Sequence, residues 1–344
     1  MHGPEPITFY VPREMPFEFP SDYDTLDWST AGSILGQGGY VLQAAWLFQT
    51  GIRLRSAGWD VRFVRQFPES GVVVSTVWDL PKLFRPPPDV VHVCVLGDGY
   101  PYMFADIYIS QNPVQASSWR GDRFVRPLWR YVPHWPQPDI RPREAALGTR
   151  FSRVGFAGHL RNLAPELQDA GWQAEFEANG FEWAESDLNQ WHDYRNLDVA
   201  ISCRRFTRRR YLNKPATKMY NAWFGGVPFI ATPESAFVAE RQHPDEALFV
   251  QTPRELLEGL CRLRDDPALR QRMVDAGRRA SERFTVPRIL AVWQRVLTEG
   301  VARARRLRRS QGPVARAVES LWFRGSVAAR LTESKLNQWT GGQK

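Results

Sequence analysis

The chain has 344 residues, of which 43% are hydrophobic and 24% charged, and its formal net charge is +8. These values exclude a disordered chain, leave room for two domains with sizeable cores, and point to an anionic ligand or surface. Three scattered cysteines (Cys94, Cys203 and Cys261) exclude a disulfide framework and a cysteine metal motif, and no apolar run of about 18 residues is present to span a membrane.

The opening MHGPEPITFY has no apolar signal core, so a cytoplasmic protein is expected. Ile7 to Val11 reads as a first strand and the polar stretch 12–33 as a loop. Gly36-Gln37-Gly38-Gly39-Tyr40 then introduces an amphipathic helix, with Val41, Ala44, Ala45, Phe48 and Ile52 at helical spacing up to Gly58. These glycines suit close backbone approach to a ligand and equally a plain turn; they do not match the dinucleotide fingerprint. Strands are expected at Trp59–Arg65, Val72–Val77, Val90–Leu96 and Ala105–Ser110, with Pro86-Pro87-Pro88 as a rigid connector.

Asp98 stands between Gly97 and Gly99 at the carboxyl end of a strand. Open sheets place catalytic groups there, and a turn aspartate bonding its own backbone fits as well. After Gln111-Asn112-Pro113, Phe124–Val132 leads into a segment carrying Pro133, Pro136, Pro138 and Pro142, read as a linker with the boundary near 136–150. His134 either faces the cleft or is structural.

The second half opens with strand Val154–Ala157 and the phosphate-compatible turn Gly158-His159-Leu160-Arg161-Asn162. Leu163–Ala170 reads as helix, Ala174–Ala184 as strand and turn, and Trp191–Arg195 as a short helix. Asp198–Ser202 is a buried strand, and the loop after it carries Arg204, Arg205, Arg208, Arg209 and Arg210. A helix is expected from Lys214-Pro215 to Gly225-Gly226, with Lys214, Lys218 and Asn221 on one face and Ala216, Met219, Tyr220 and Trp223 on the other. Basic residues and a helix N-terminus converging at a strand end make a seat for a diphosphate; a solvated lysine face is the plainer alternative.

Val227–Ala231 is the next strand, and Glu234 starts a short helix. Pro253–Phe284 holds two helices, the second capped by Asp266, and a last helix from Thr285 places Ile289, Trp293, Val296 and Leu297 on one side. From Val301 to Arg330 there are eight arginines and one glutamate, interleaved with Leu321, Trp322 and Phe323. A basic amphipathic helix is expected there, resting on an anionic membrane surface or on the neighbouring domain. The 14 tryptophans suit sugar-lined clefts as well as core packing.

The order strand, basic loop, Lys214-Pro215, Lys218, Asn221-Ala222, Gly226-Val227-Pro228, Ile230 and Pro233-Glu234-Ser235 resembles the donor half of GT-B glycosyltransferases. The helices around Leu263-Arg264-Asp265-Asp266-Pro267 are similar to that family's C-terminal helices. The resemblance implies an α/β protein with two Rossmann-like domains facing a cleft. Residues 1–140 would form the acceptor-side domain, 141–300 the nucleotide-sugar donor domain, and 301–344 a basic helical tail. It implies metal-independent transfer of a sugar from a nucleotide diphosphate-sugar to a glycan, lipid-linked or small-molecule acceptor, with no cofactor beyond that co-substrate.

By position, Gly158, His159 and Arg161 would border the donor, and Arg204, Lys214, Lys218 and Asn221 would hold it. Glu234, with Glu240 nearby, would bind ribose hydroxyls or else be a surface acid. Arg204 and Lys214 would stabilise the leaving diphosphate; for an inverting enzyme Asp98 is the candidate base, with His134 behind it. No metal ligands are expected. Many retaining members carry glutamates at the positions of Asn213 and Asn221, so the two-glutamate retaining form is not expected. The competing functions are a nucleotide-sugar epimerase of the same architecture and a nucleic-acid binder; the arginines form no recognised reading helix, which argues against nucleic acid. The expected location is cytoplasmic, with peripheral contact at the inner membrane face.

Overall fold

The computed structural model describes residues 5–12, 44–118, 127–156, 158, 162–184, 191–207 and 209–314, with 317, 320, 321 and 323–325 at the C-terminal end. The loop at 13–33, the glycine turn at 36–39, His159, Arg161, Arg208 and Trp322 lie outside the described residues.

The first half contains β1 (Ile7–Tyr10), a π-helical turn (Ala44–Phe48) continuing into α1 (Gln49–Ser56), β2 (Val61–Val64), β3 (Ser70–Thr76), β4 (Asp89–Val95), β5 (Ile107–Ser110), α2 (Pro113–Ser117) and β6 (Leu128–Tyr131). The strands form one parallel sheet in the order β2-β1-β3-β4-β5-β6. Val72, Val74, Val91, Val93 and Val95 are buried, as parallel strands covered on both faces require. Helix α1 lies close to β2: a Cβ on Gly51 would collide with the Phe63 ring.

The second half contains β7 (Arg153–Gly155), α3 (Ala170–Ala178), β8 (Glu182–Trp183), β9 (Val199–Ser202), α4 (Thr217–Phe224), β10 (Phe229–Ala231), α5 (Ser235–Glu240), β11 (Leu248–Phe249), α6 (Pro253–Asp265), α7 (Pro267–Ser281), α8 (Val286–Arg295) and α9 (Val301–Ser310). Its parallel sheet runs β11-β10-β9-β7-β8. Thr252 and Asp266 cap α6 and α7 by accepting from Glu255 N at 3.0 Å and Leu269 N at 2.9 Å. Strand order reverses between β1 and β3 in the first sheet and between β7 and β9 in the second. Ligands of open α/β sheets bind outside the strand carboxyl ends at such points.

Three local expectations change. Residues 174–178 are helical, because Asp169 accepts from Gly171 N and Trp172 N and nucleates α3, whose Trp172 and Phe176 rings stack 5.1 Å apart. Residues 191–195 form no helix; Asp193 makes a parallel bridge with Arg141. Helix α4 opens at Thr217 rather than at Lys214-Pro215. A helix starting at Lys214 would need the carbonyls of Asn213 and Lys214 for its own N–H groups. They accept instead from Gln111 Nε2 at 3.1 Å and Asn112 Nδ2 at 3.0 Å, in the first half of the chain.

The C-terminal helices cross to the first sheet. Trp293 is fully buried with its ring 6.2 Å from that of Trp46. In α9, Arg305 reaches Glu5 at 2.6 Å, while Arg308 donates to Asp106 Oδ2 at 2.6 Å and Val90 O at 2.7 Å. Phe323 beyond it packs on Phe104, ring centres 4.1 Å apart.

Candidate functional site

The reversal between β7 and β9 opens onto Gly158, the end of β9 and the first turn of α4. Lys218, in that turn, sends its ammonium inward, 3.9 Å from the centre of the Phe156 ring. A Cβ on Gly158 would come 2.8 Å from this nitrogen, so a glycine is what leaves Lys218 its place. The ammonium is buried and has no hydrogen-bond acceptor among the described residues. Burial and the charge of Arg204 pull Lys218 well below the ordinary lysine range.

Other polar groups without partners lie at the same end of the sheet. Ser202 Oγ at the end of β9, Thr232 Oγ1 after β10 and Thr217 Oγ1 at the start of α4 are buried and unbonded among the described residues. Arg204 Nε lies 3.1 Å from Glu234 Oε1, close enough for an ion pair, yet neither atom completes a directed hydrogen bond. Burial pushes the Glu234 carboxyl up, against the pull of Arg204 and Lys218. Buried polar atoms in folded proteins are nearly always paired. A concentration of orphans at one sheet end, facing a helix N-terminus, is a site that a polar ligand would complete.

The first sheet contributes the opposite wall. Lys214 Nζ lies 2.5 Å from Asp98 Oδ2, and Asn213 Nδ2 donates to Asp98 O at 2.5 Å. Gln111 Nε2 donates to Asp98 Oδ1 at 2.8 Å. Asn112 caps α2 through Val114 N at 2.9 Å and also donates to Ser235 Oγ at 2.9 Å. The structure thus brings Gly158, Arg204, Lys218 and Glu234 together, with Lys214 turned from them toward Asp98.

Asn221 does not join this cluster, and the exposed basic stripe expected on α4 does not form. Asn221 is buried and accepts from Gln137 N at 3.1 Å, fastening the segment between the sheets. Glu240, buried at the end of α5, bonds Tyr131 and receives Arg283 Nη2 on its carbonyl at 3.0 Å. His134 is a core residue: its Nδ1 donates to Trp135 O at 2.6 Å, its ring meets Trp46 edge-on at 5.0 Å, and burial pushes it down to about 4. Sequence reasoning missed Ser202, Thr217, Thr232, Gln111 and Asn112. A hydroxyl directly after an apolar strand and an Asn directly before Pro113 were the available signals.

No protein-family model matches the chain, and no curated protein matches it. Among solved structures it is similar to sucrose-phosphate synthase from Thermosynechococcus elongatus, at 14% identity and a TM-score of 0.54 over 87% of this chain and 99% of that one. It is also similar to Anabaena HepE in complex with UDP and glucose, at 11% identity and a TM-score of 0.48 over 86% of this chain and 100% of that one. An alpha1,3-fucosyltransferase with GDP matches at 11% identity and a TM-score of 0.47, over 86% and 90%. The first likeness shows the fold: two Rossmann-like domains of the GT-B type, as the two parallel sheets indicate.

Proposed function

We propose that the protein is a glycosyltransferase that moves a sugar from a nucleotide diphosphate-sugar to a glycan, lipid-linked or small-molecule acceptor. The observation that carries this reading is the set of buried, unpartnered polar groups around Lys218 at the carboxyl ends of β9 and β10. A diphosphate seated at the start of α4 would meet Lys218, Arg204 and the hydroxyls of Ser202 and Thr217. Its charge returns Lys218 to the ammonium form, and the same cations stabilise negative charge growing on the leaving diphosphate. These side chains would supply the charge compensation, which supports a metal-independent reaction. Glu234, released from Arg204, would accept from the ribose hydroxyls.

The acceptor would approach from the first sheet, at Asp98. The Asp98 carboxylate is occupied by Lys214; when Lys214 turns to the diphosphate, the carboxylate is free to take the acceptor proton. Asn213 and Asn221 supply no second carboxylate, which supports a mechanism other than the two-glutamate retaining one. Exposed Leu321 and Val314, beside the arginines of the tail, support peripheral contact with an anionic membrane.

A thermal-shift panel of UDP, GDP, CMP and dTDP tests the reading. One nucleoside diphosphate should raise the melting temperature saturably in the wild type and not in Lys218→Met. If none of the four does so, the donor site is wrong.

A further inference from the structure

A second cleft opens at the other end of the second sheet, where the strands begin. Its volume is about 320 Å³, and it lies between segment 143–151, which joins the two sheets, and α7. Arg143, Arg150, Arg270 and Arg278 line it together with Asp198 and Glu144, so four cations face two acids and two positive charges remain.

Asp198 is already committed. Its side chain is fully buried and takes Arg143 Nη2 at 2.8 Å, Arg150 Nε at 3.4 Å, Ser152 N at 2.9 Å and Arg153 N at 3.0 Å. The other acceptors are neutral. Arg270 donates to the carbonyls of Leu263 and Arg264, each at 2.8 Å, and of Thr149 at 3.0 Å, with its guanidinium 5.0 Å from the centre of the Phe151 ring. Those bonds hold the guanidinium in place without cancelling its charge. Burial and the neighbouring Arg143 accordingly pull Arg270 below its usual range.

The Arg278 guanidinium makes no hydrogen bond or ion pair among the described residues; only its carbonyl is engaged, accepting from Ser281 Oγ at 2.7 Å. Its Nη2 would lie 3.7 Å from a Cβ on Gly226. Gly226 and Gly148 hold φ of +66° and +51°, left-handed positions that favour glycine and keep two walls of the cleft bare.

We propose that this cleft binds a phosphate monoester or inorganic phosphate, gripped by Arg270 and Arg278, both on α7, and by Arg143 and Arg150 from the joining segment. Such an anion carries about two negative charges near pH 7, which matches the surplus, and its oxygens suit guanidinium forks. Bound there, it would tie the segment between the sheets to α7. The site stands apart from the proposed donor site and does not depend on it.

The test uses full-length Lys218→Met protein, so that the donor site does not answer for the cleft. Its melting temperature is followed against inorganic phosphate, a hexose 6-phosphate, and sodium chloride at matched ionic strength. The expected result is a saturable rise with phosphate or the sugar phosphate beyond the chloride response. In Lys218→Met/Arg278→Ala that response should weaken at least about tenfold in half-saturation concentration, for loss of one charged fork. Tighter binding of the sugar phosphate identifies a phosphorylated metabolite as the occupant; equal binding identifies free phosphate. The proposal is overturned if neither ligand exceeds chloride, or if Arg278→Ala and Arg278→Gln both leave the response unchanged. Arg278 is exposed and its guanidinium makes no hydrogen bond among the described residues, so either variant should fold, and its melting temperature without phosphate checks this.

Discussion

Lys214 Nζ and Asp98 Oδ2 lie 2.5 Å apart, although one belongs to the loop before α4 and the other to the turn after β4 in the other sheet. The pair is partly exposed, 25% and 51% for the two side chains, so solvent screens it and it contributes little to stability. Its interest is chemical: each partner masks the charge the other would offer a substrate. Lys214→Ala should therefore change unfolding free energy by less than about 1 kcal/mol while lowering turnover on the order of 100-fold. Arg204→Ala should lose activity to a similar extent. Near-wild-type rates in both variants, measured with a working donor, would exclude these cations from the reaction.

Lys218→Met should stabilise the protein without ligand. Burial and Arg204 hold Lys218 in the folded protein well below the ordinary lysine value of 10.5. At neutral pH the unfolded chain therefore binds the proton more readily than the folded one, and the native state carries the cost of burial. That cost is full below the folded-state value and fades as pH rises toward 10.5. The variant should melt about 2 °C or more above the wild type at pH 7, with the gap closing at alkaline pH. A gap that is absent or widens with pH would show that the ammonium is solvated.

Asn112 separates a local role from a long-range one. Its oxygen caps α2, and its amide nitrogen donates to the carbonyl of Lys214 and the hydroxyl of Ser235. Asn112→Ala loses both functions and should cost about 2–4 kcal/mol in denaturant unfolding. Asn112→Asp keeps the capping oxygen and loses the donors. It should recover part of that stability while still loosening the contact between the sheets, visible as faster amide exchange at 211–216. Equal protection in Asn112→Asp and the wild type would mean the amide does not hold the loop.

Removing α9 should destabilise the first sheet. Asp106 is 1% exposed, and its carboxylate accepts from His92 N at 2.9 Å and from Arg308. Arg308→Ala removes one charged partner from that buried carboxylate and should cost about 2–3 kcal/mol. Truncation after Gly300 also removes Arg305 and Phe323 and should lower the melting temperature further. Flotation with anionic liposomes at low salt checks the other role of this segment: protein that stays at the bottom of the gradient would leave the tail a purely structural strap.

Much of the architecture was readable from the amino acids. The strands read at 72–77 and 90–96 are β3 (Ser70–Thr76) and β4 (Asp89–Val95), because continuous β-branched runs suit a parallel sheet covered on both faces. Helices α6 and α7 announce themselves through Thr252-Pro253 and Asp266-Pro267, whose capping and first-turn chemistry is local. That Arg204, Lys218 and Glu234 are neighbours was also legible, since they stand at the ends of successive β-α units in one sheet. What only the tertiary structure decided lies around Lys214. Periodicity placed Lys214, Lys218 and Asn221 on one exposed face of a helix. The fold captures the carbonyls of Asn213 and Lys214 with Gln111 and Asn112, about a hundred residues earlier in the chain, and the helix cannot start there. With its start at Thr217, Lys214 falls outside the helix and meets Asp98, while the face carrying Lys218 and Asn221 is packed rather than exposed, Lys218 against Phe156 and Asn221 against Gln137. Helical spacing is a property of neighbouring residues; the place where a helix begins depends on who else claims its carbonyls, and here those claimants belong to the other sheet.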